Sequence, residues 1–428
     1  MIQEIKIKNF RSFKDEVVFS FEASNDKFAE SSQVVQINEN TRLLRFAVIY
    51  GYNASGKSNL LNVFDFLSYF WSNKPSDLNE GTDVEPFKLD QQSSNEPSQF
   101  ELVFFVNETK YCYQLSLDKQ QVYHEKLSYY KSTQPIMLFE RKLAGNRSLI
   151  EFNDNGDKIG TTDRKTITSY CLKNTSFFVA RNQVNVDLPL IDAAKDWMRN
   201  QIMSSIYPDT RLTYYAQRKT SENHSITKHI LDFLHAADFN ITNIQTDVIN
   251  RRISDDMIDF LLEDQDTSSA EKERIKKEKT IRHIQTLFEH TIENDNGLEI
   301  YQMDKSDEST GTLRTFGLET ALYELTNYKS FLPIDEIETS LHPKLLEKIL
   351  FEYLRNYSKS QIIIATHNDG LLDLVDDLIR KDSVWFTEKK KSGVTDLYKL
   401  TDFRGINRLS SIREAYRNKR FGATMREG

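Results

Sequence analysis

Eight residues, GYNASGKS from Gly51 to Ser58, set two glycines, a lysine and a hydroxyl at the spacing GxxxxGK[ST]. Glycine at the first and sixth positions lets the backbone turn so that successive amide N–H groups point at the β- and γ-phosphates of a nucleotide. The helix that follows adds the favourable end of its dipole. Gly51, Tyr52, Asn53, Ala54, Ser55, Gly56, Lys57, Ser58 and Asn59 are therefore candidate nucleotide-binding residues, with Lys57 bridging β and γ oxygens and Ser58 as a ligand of Mg2+. A phosphate cradle also needs a strand that carries carboxylates, expected as a neighbour of the strand that leads into the loop. FLPIDE supplies one, with Asp335 as the second candidate metal ligand and Glu336 as the candidate general base toward the attacking water. QIIIATH then ends a further strand in His367, placed to reach a γ-phosphate.

The elements that must hold these groups are legible as patterns. Ile2, Ile5 and Ile7, then Val17, Phe19 and Phe21, alternate with polar positions as in two antiparallel strands. LLRFAVIY, nearly unbroken in apolar residues, predicts a strand covered on both faces that delivers the chain to the glycine loop. Leu60, Leu61, Phe64, Leu67 and Phe70 recur near a 3.6-residue period and predict a helix after it. Residues 72–99 read as a long polar loop, and FELVFFV, KYCYQLSLD, VYHEKLSYY and IMLFERKL as an antiparallel meander. From 164 to 295 the periodicity predicts mostly helix. From 313 an α/β alternation returns: a helix, the strand SFLPIDE, a helix, the strand QIIIATH, another helix and a last strand SVWFTEK. Pro333 lacks a ladder donor and predicts a local irregularity in its strand.

With 428 residues the chain is long enough for one large elaborated domain or two domains. No apolar run approaches the roughly 20 residues that cross a bilayer, and the N-terminus lacks a signal-peptide core, so a cytoplasmic location with no membrane partner is expected. Cys112 and Cys171 fit neither a metal knuckle nor a disulfide framework. His224, His229 and His235 follow one another at i,i+5 and i,i+6, spacings that do not set successive histidines on one helix face, which argues against a metal site there. The net charge of -8 repels a polyanion unless basic residues segregate on one face. EKERIKKEK (271–279), EKKK (388–391) and RNKR (417–420) are the candidate clusters, the first reading as a solvated helix face.

GYNASGKSN, DESTGT (307–312), LPIDEIETSLHP and IIIATHN together resemble the Walker A, signature, Walker B with D-loop, and switch-histidine elements of ABC-type ATPases in the RecF/SMC-like (OLD-like) branch. IKIKNFRSFKD resembles the first strand pair of that branch. Within it the chain is most similar to the compact ATPases of phage-defence operons, the RloA type and the ATPase subunit of the PARIS system. The likeness extends to VWFTEK, YKLTDF and YRNKRFGA between 384 and 423. It spans roughly 1–110 and 300–425 and is weak between them.

The resemblance implies an α/β P-loop ATPase head with a mixed sheet, an antiparallel β subdomain and a helical insertion. It divides the chain into an N-terminal lobe (1–163), the insertion (164–300) and a C-terminal lobe (301–428). It implies ATP and Mg2+ as cofactors and a homodimer sandwiching ATP between heads, with assembly into a higher oligomer left open. Ser309, Gly311 and Thr312 would meet the γ-phosphate of the other protomer, although DKSDESTGT also reads as a loop capping the next helix. The usual acid of the D-loop is His342 here, Gln91 and Gln92 are the candidates for a Q-loop, and Arg11 matches a basic residue near the nucleotide in relatives but reads as a surface arginine.

Two functions follow from that likeness. In the first, the ATP cycle controls a separately encoded effector, a TOPRIM-like nuclease or other toxin, in antiviral defence, with a phage protein as trigger. The roughly 60 residues after IIIATH are too few for a nuclease domain of the usual size. In the second, the heads clamp duplex DNA in repair. The acidic balance and the lack of a long coiled-coil arm weigh against the second, and DNA-stimulated, salt-sensitive turnover separates the two.

Overall fold

The strand pair expected at the N-terminus is present, as β1 (Ile2–Lys8) and β2 (Val17–Ser20), paired antiparallel. Ile2, Ile5 and Ile7 are all buried although Ile2 and Ile5 differ in parity. The register between β1 and β6 (Ser98–Val106) shifts between Ile2 and Glu4, and this irregularity turns both side chains inward. The computed structural model describes all residues except 78, 154, 238, 264–267 and 425–428. It divides into two compact units, one of Met1–Pro208, Glu324–Thr339 and Ile349–Gly428, the other of Asp209–Tyr323 and Ser340–Lys348.

In the first unit the meander continues through β7 (Thr109–Leu117), β8 (Val122–Tyr130), β9 (Pro135–Ala144) and β10 (Arg147–Phe152), giving an antiparallel sheet of order β10-β9-β8-β7-β6-β1-β2. LLRFAVIY is two strands rather than one. The hairpin of β3 (Val34–Asn38) and β4 (Thr41–Leu44) ends at Arg45, and β5 (Phe46–Tyr50) begins beyond it. Arg45 is fully buried, donating to the Ser32 and Asn356 carbonyls at 2.7 and 2.6 Å and to Ser358 Oγ at 2.6 Å. Those acceptors satisfy a charge that would otherwise break an apolar run.

The second sheet carries the chemistry. Its order is β14 (Phe331–Ile334), β15 (Gln361–Thr366), β5, β16 (Val384–Lys389) and β17 (Thr395–Lys399). The first four are parallel and β17 is antiparallel, which makes it the expected mixed sheet. The helix Lys57–Ser72 buries Leu60, Leu61, Phe64, Leu67 and Phe70, as its periodicity predicts. It packs Phe64 edge to face against Phe331 of β14 at 4.6 Å between ring centroids, in a single core that also contains Phe19, Phe21 and Trp385. Pro333 causes no register shift. Phe331 and Asp335 donate outward to the Gln201 and Ile206 carbonyls, and the Pro333 carbonyl accepts from Ile206 N, so the ring takes a donor position on the outer side of an edge strand.

Three expectations are corrected. The segment 164–295 contains helices from Thr161–Tyr170 to Ser269–Glu278, but its second half also holds β11 (Ile241–Arg252) and β12 (Thr280–Asn294). With β13 (Gly297–Asp304) these make a three-stranded antiparallel sheet in the second unit. The helical reading of EKTIRHIQTLFEHTIE stops at Lys279, left-handed at φ 51°. Beyond it Thr280, Ile281, Ile284, Thr286, Thr291 and Ile292 supply the β-branched side chains that a strand accommodates better. The helix expected after QIIIATH is a short 3-10 segment, Asp369–Leu374. Finally, β5 and β14 are not neighbours, because β15 runs between them.

Candidate nucleotide site

Three of the sequence signals leave the sheet at the same edge. β5, β15 and β14 are parallel, with Tyr50 opposite Thr366 and Ile334 opposite Ile364, so Gly51, His367 and Asp335 each begin the segment beyond a carboxyl end. That edge is where parallel α/β sheets place ligands, since the chain must turn there and its backbone groups are free of the ladder.

The glycine loop is held from behind. Gly56 sits at φ 114°, and a side chain there would come within 2.5 Å of Thr395 Oγ1; one on Gly51 would come within 2.3 Å of Ser55 Oγ. Ala54 is also left-handed, at φ 63°. A relay of hydroxyls ties the loop to β17: Asn59 Nδ2 donates to Ser12 Oγ at 2.7 Å, Ser12 Oγ lies 2.9 Å from Thr395 Oγ1, and Thr395 Oγ1 donates to the Ser55 carbonyl at 2.8 Å. Ser55 and Thr387 share a second hydroxyl contact at 2.7 Å, and Tyr52 donates to the Lys389 carbonyl at 3.0 Å. Ser12, Thr387 and Thr395 were invisible as site residues because nothing in a single sequence marks a hydroxyl on a remote strand as loop support.

Lys57 is buried, with Nζ donating to the Gly51 carbonyl at 2.7 Å. Burial pushes its ammonium pKa down, opposed by Asp335, Glu338 and Glu336. Burial likewise pushes the Asp335 carboxyl up, against the hydrogen bond from Ser58 and the charge of Lys57. The structure thus brings Lys57, Ser58 and Asp335 together. A hydroxyl and a buried carboxylate are the hard oxygen donors that suit Mg2+, and a cation there would offset the desolvation of Asp335. Glu336 adopts φ 43°, a left-handed backbone unusual for a non-glycine residue. Its N–H donates to Asp335 Oδ1 at 3.1 Å and its carbonyl accepts from Thr339 N at 2.9 Å. Strain of this kind costs about 1–3 kcal/mol and persists only where the surroundings impose it.

His367 is half exposed and Glu338, which sequence reasoning passed over, lies 3.0 Å from its Nδ1. Two residues beyond a candidate base, a third carboxylate reads as ordinary loop polarity. Ser309, Gly311 and Thr312 belong to the second unit, at the start of the helix Thr310–Tyr328. Ser309 Oγ accepts from Thr312 N at 3.0 Å, which is the capping role, and Thr312 is buried with its hydroxyl 2.8 Å from Ser309 Oγ. His342 Nδ1 accepts from Lys344 N at 3.3 Å at the head of Pro343–Arg355. Gln91 and Gln92 are exposed, Gln92 bonding to Glu96, and Arg11 is a partly exposed partner of Glu85 at 3.3 Å. Cys112 and Cys171 are buried free thiols, pushed up by burial to about 12 and about 11. His229 pairs with Glu319 at 3.1 Å. Among the described residues no helix is long and apolar enough to cross a membrane.

The family described as "AAA domain, putative AbiEii toxin, Type IV TA system" matches residues 46–373, from the strand before the glycine loop to beyond His367, and the chain belongs to it. It is a P-loop ATPase of that family. None of the curated proteins matches the chain. Among solved structures, the SMC head domain from Thermotoga maritima is 13% identical at a TM-score of 0.40, covering 93% of this chain and 98% of that one. An SmcHead bound to the C-winged helix domain of ScpA is 12% identical at a TM-score of 0.40, covering 97% and 99%.

Proposed function

We propose that the chain binds ATP on the Gly51–Asn59 loop, hydrolyses it, and uses the cycle to control a separately encoded effector in defence against phage. The observation that carries the catalytic part is that the glycine loop and the acid segment leave one sheet at the same edge, with Lys57 within electrostatic reach of Asp335, Glu338 and Glu336. Lys57 Nζ would exchange the Gly51 carbonyl for β- and γ-phosphate oxygens. Ser58 and Asp335 would hold Mg2+, which when bound neutralises charge building between those phosphates. Glu336 would take the proton of the attacking water, and His367 would contact the γ-phosphate from the end of β15. Ser309, Gly311 and Thr312 of a second protomer would complete the site in a homodimer.

The partner is the finer part of the reading. A TOPRIM-like nuclease held or released by the ATPase, with a phage protein as trigger, is supported by the resemblance to phage-defence ATPases. A family description that names a toxin–antitoxin system fits an ATPase acting with a second component. The test is Glu336→Gln with radiolabelled ATP: binding is retained and hydrolysis falls by about 10²- to 10⁴-fold, the usual loss of a general base. Equal turnover in mutant and parent removes Glu336 from that role. Co-purification from the native host identifies the partner, and strong stimulation by duplex DNA with steep salt dependence would replace the effector reading by the DNA clamp.

A further inference from the structure

The carboxylate of Glu338 has no task in the scheme above, yet three donors converge on it from the end of β15. Its Oε2 accepts from Thr366 Oγ1 at 2.8 Å; its Oε1 accepts from His367 N at 2.9 Å and lies 3.0 Å from His367 Nδ1. The side chain is 13% exposed whereas the imidazole it holds is 55% exposed, so the anchor is largely buried and the ring is presented outward. A carboxylate has no proton to give, so Nδ1 carries the hydrogen of this contact and Nε2 is the ring nitrogen left for another partner.

We propose that Glu338 is a positioning residue for ATP hydrolysis, pinning the end of β15 and fixing His367 with Nδ1–H toward itself so that Nε2 is offered to the terminal phosphate. The inference rests on the function proposed above. It gives the loop after β14 two duties: Glu336 meets the attacking water, and Glu338, two residues on, orients the histidine of the adjacent strand. Any movement of that loop therefore moves base and histidine together. Removing Glu338 takes the acceptor from the buried Thr366 hydroxyl and from the His367 N–H, so a purely structural role predicts a lower melting temperature with parental turnover in the folded protein.

The experiment uses the full chain with Glu338→Ala, Glu338→Gln, His367→Ala and the double alanine variant. Glu338→Ala is expected to lower kcat about 10- to 100-fold, the scale of a misplaced catalytic group, with KM within about threefold. Glu338→Gln, whose Oε1 can still accept from both His367 donors, recovers most of that loss. The double variant is no slower than the slower single one, because both changes remove the same interaction. Parental kcat in Glu338→Ala, or multiplying losses in the double variant, overturns the proposal. A second readout does not depend on turnover. In protein labelled with 15N-histidine at about pH 8, where an ordinary imidazole is neutral, His367 is expected as the Nδ1–H tautomer, shifting toward Nε2–H in Glu338→Ala. A tautomer unchanged by that substitution overturns the role of Glu338 whatever the outcome for Glu336. A shifted tautomer beside parental turnover in Glu336→Gln isolates the failure in the base assignment.

Discussion

Gly56→Ala tests whether the observed loop geometry is the one that binds phosphate. The new methyl faces two penalties. At φ 114° the backbone lies beyond the narrow left-handed well that L-residues visit, which costs about 1–3 kcal/mol. The methyl would also come within 2.5 Å of Thr395 Oγ1 and 2.7 Å of Thr395 Cγ2. Thr395 cannot step aside freely, because it is paired in β17 and its hydroxyl serves the Ser55 carbonyl. Displacing it leaves that buried acceptor unpaired, for a further ~1–3 kcal/mol. The sum, about 2–6 kcal/mol, converts at about 1.4 kcal/mol per decade to a loss of roughly 30- to 10⁴-fold in ATP affinity, measured with a fluorescent analogue. Gly145→Ala is the control: its φ of +61° is also left-handed, but nothing lies within 4 Å of a methyl there, and it belongs to the β9–β10 turn. It should melt slightly earlier and bind ATP as the parent does. Parental affinity in Gly56→Ala, or equal losses at the two glycines, refutes the reasoning.

Three further outcomes are expected. Lys57→Ala should weaken ATP binding by more than roughly 100-fold, since a charged donor to two phosphates is removed; micromolar affinity in titration calorimetry would mean that the loop is not the cradle. Glu125→Ala should cost about 3–5 kcal/mol in urea unfolding, because Glu125 and Arg141 are fully buried 3.1 Å apart and the lone guanidinium would lose its counter-charge; a change under ~1 kcal/mol contradicts this. Glu140, held by His124 and Lys142, has its carboxyl lowered from 4.5 to about 2. A depressed carboxyl stabilises the fold above its unfolded value and loses that contribution as pH falls toward the folded one. The stability gap between parent and Glu140→Gln should therefore narrow below pH 4.5, and a gap constant with pH would be evidence against the assignment.

What the sequence disclosed and what it hid divide along a physical line. The glycine loop, the acid strand and the strand before His367 are local patterns whose residue types follow from backbone geometry or charge, and each is found as the element its pattern implies, although the acid strand is not beside the loop strand. The amphipathic helix Lys57–Ser72 was legible because burial repeats along its own axis. β12 was misread because Thr and Ile fit a half-buried strand face as readily as a helix stripe, and the deciding contacts, with β11 and β13, come from partners up to 49 residues away in register, as in Ile241 opposite His290. Arg45 inside an apolar run, Thr395 behind Gly56 and Glu338 beneath His367 have partners 13 to 340 residues away, and a single sequence carries no signal of such pairings.

Strand order has a consequence that motif order conceals. Along the chain the phosphate loop comes first, the acids second and the histidine last, which suggests two adjacent strands with the histidine added at the margin. In the sheet β15 lies between β5 and β14, so His367 emerges between the lysine loop and the acid loop. A triphosphate held as proposed, from Lys57 to Asp335, would pass the end of β15. The residue there is then neither an optional contact nor a free one, and its backbone and ring are already engaged by the acid loop through Glu338. The acid loop is tied to the end of β15 through Glu338, whereas the glycine loop is tied to β16 and β17, so movement of the acid loop would carry His367 with it while the glycine loop stays anchored to the other side of the sheet.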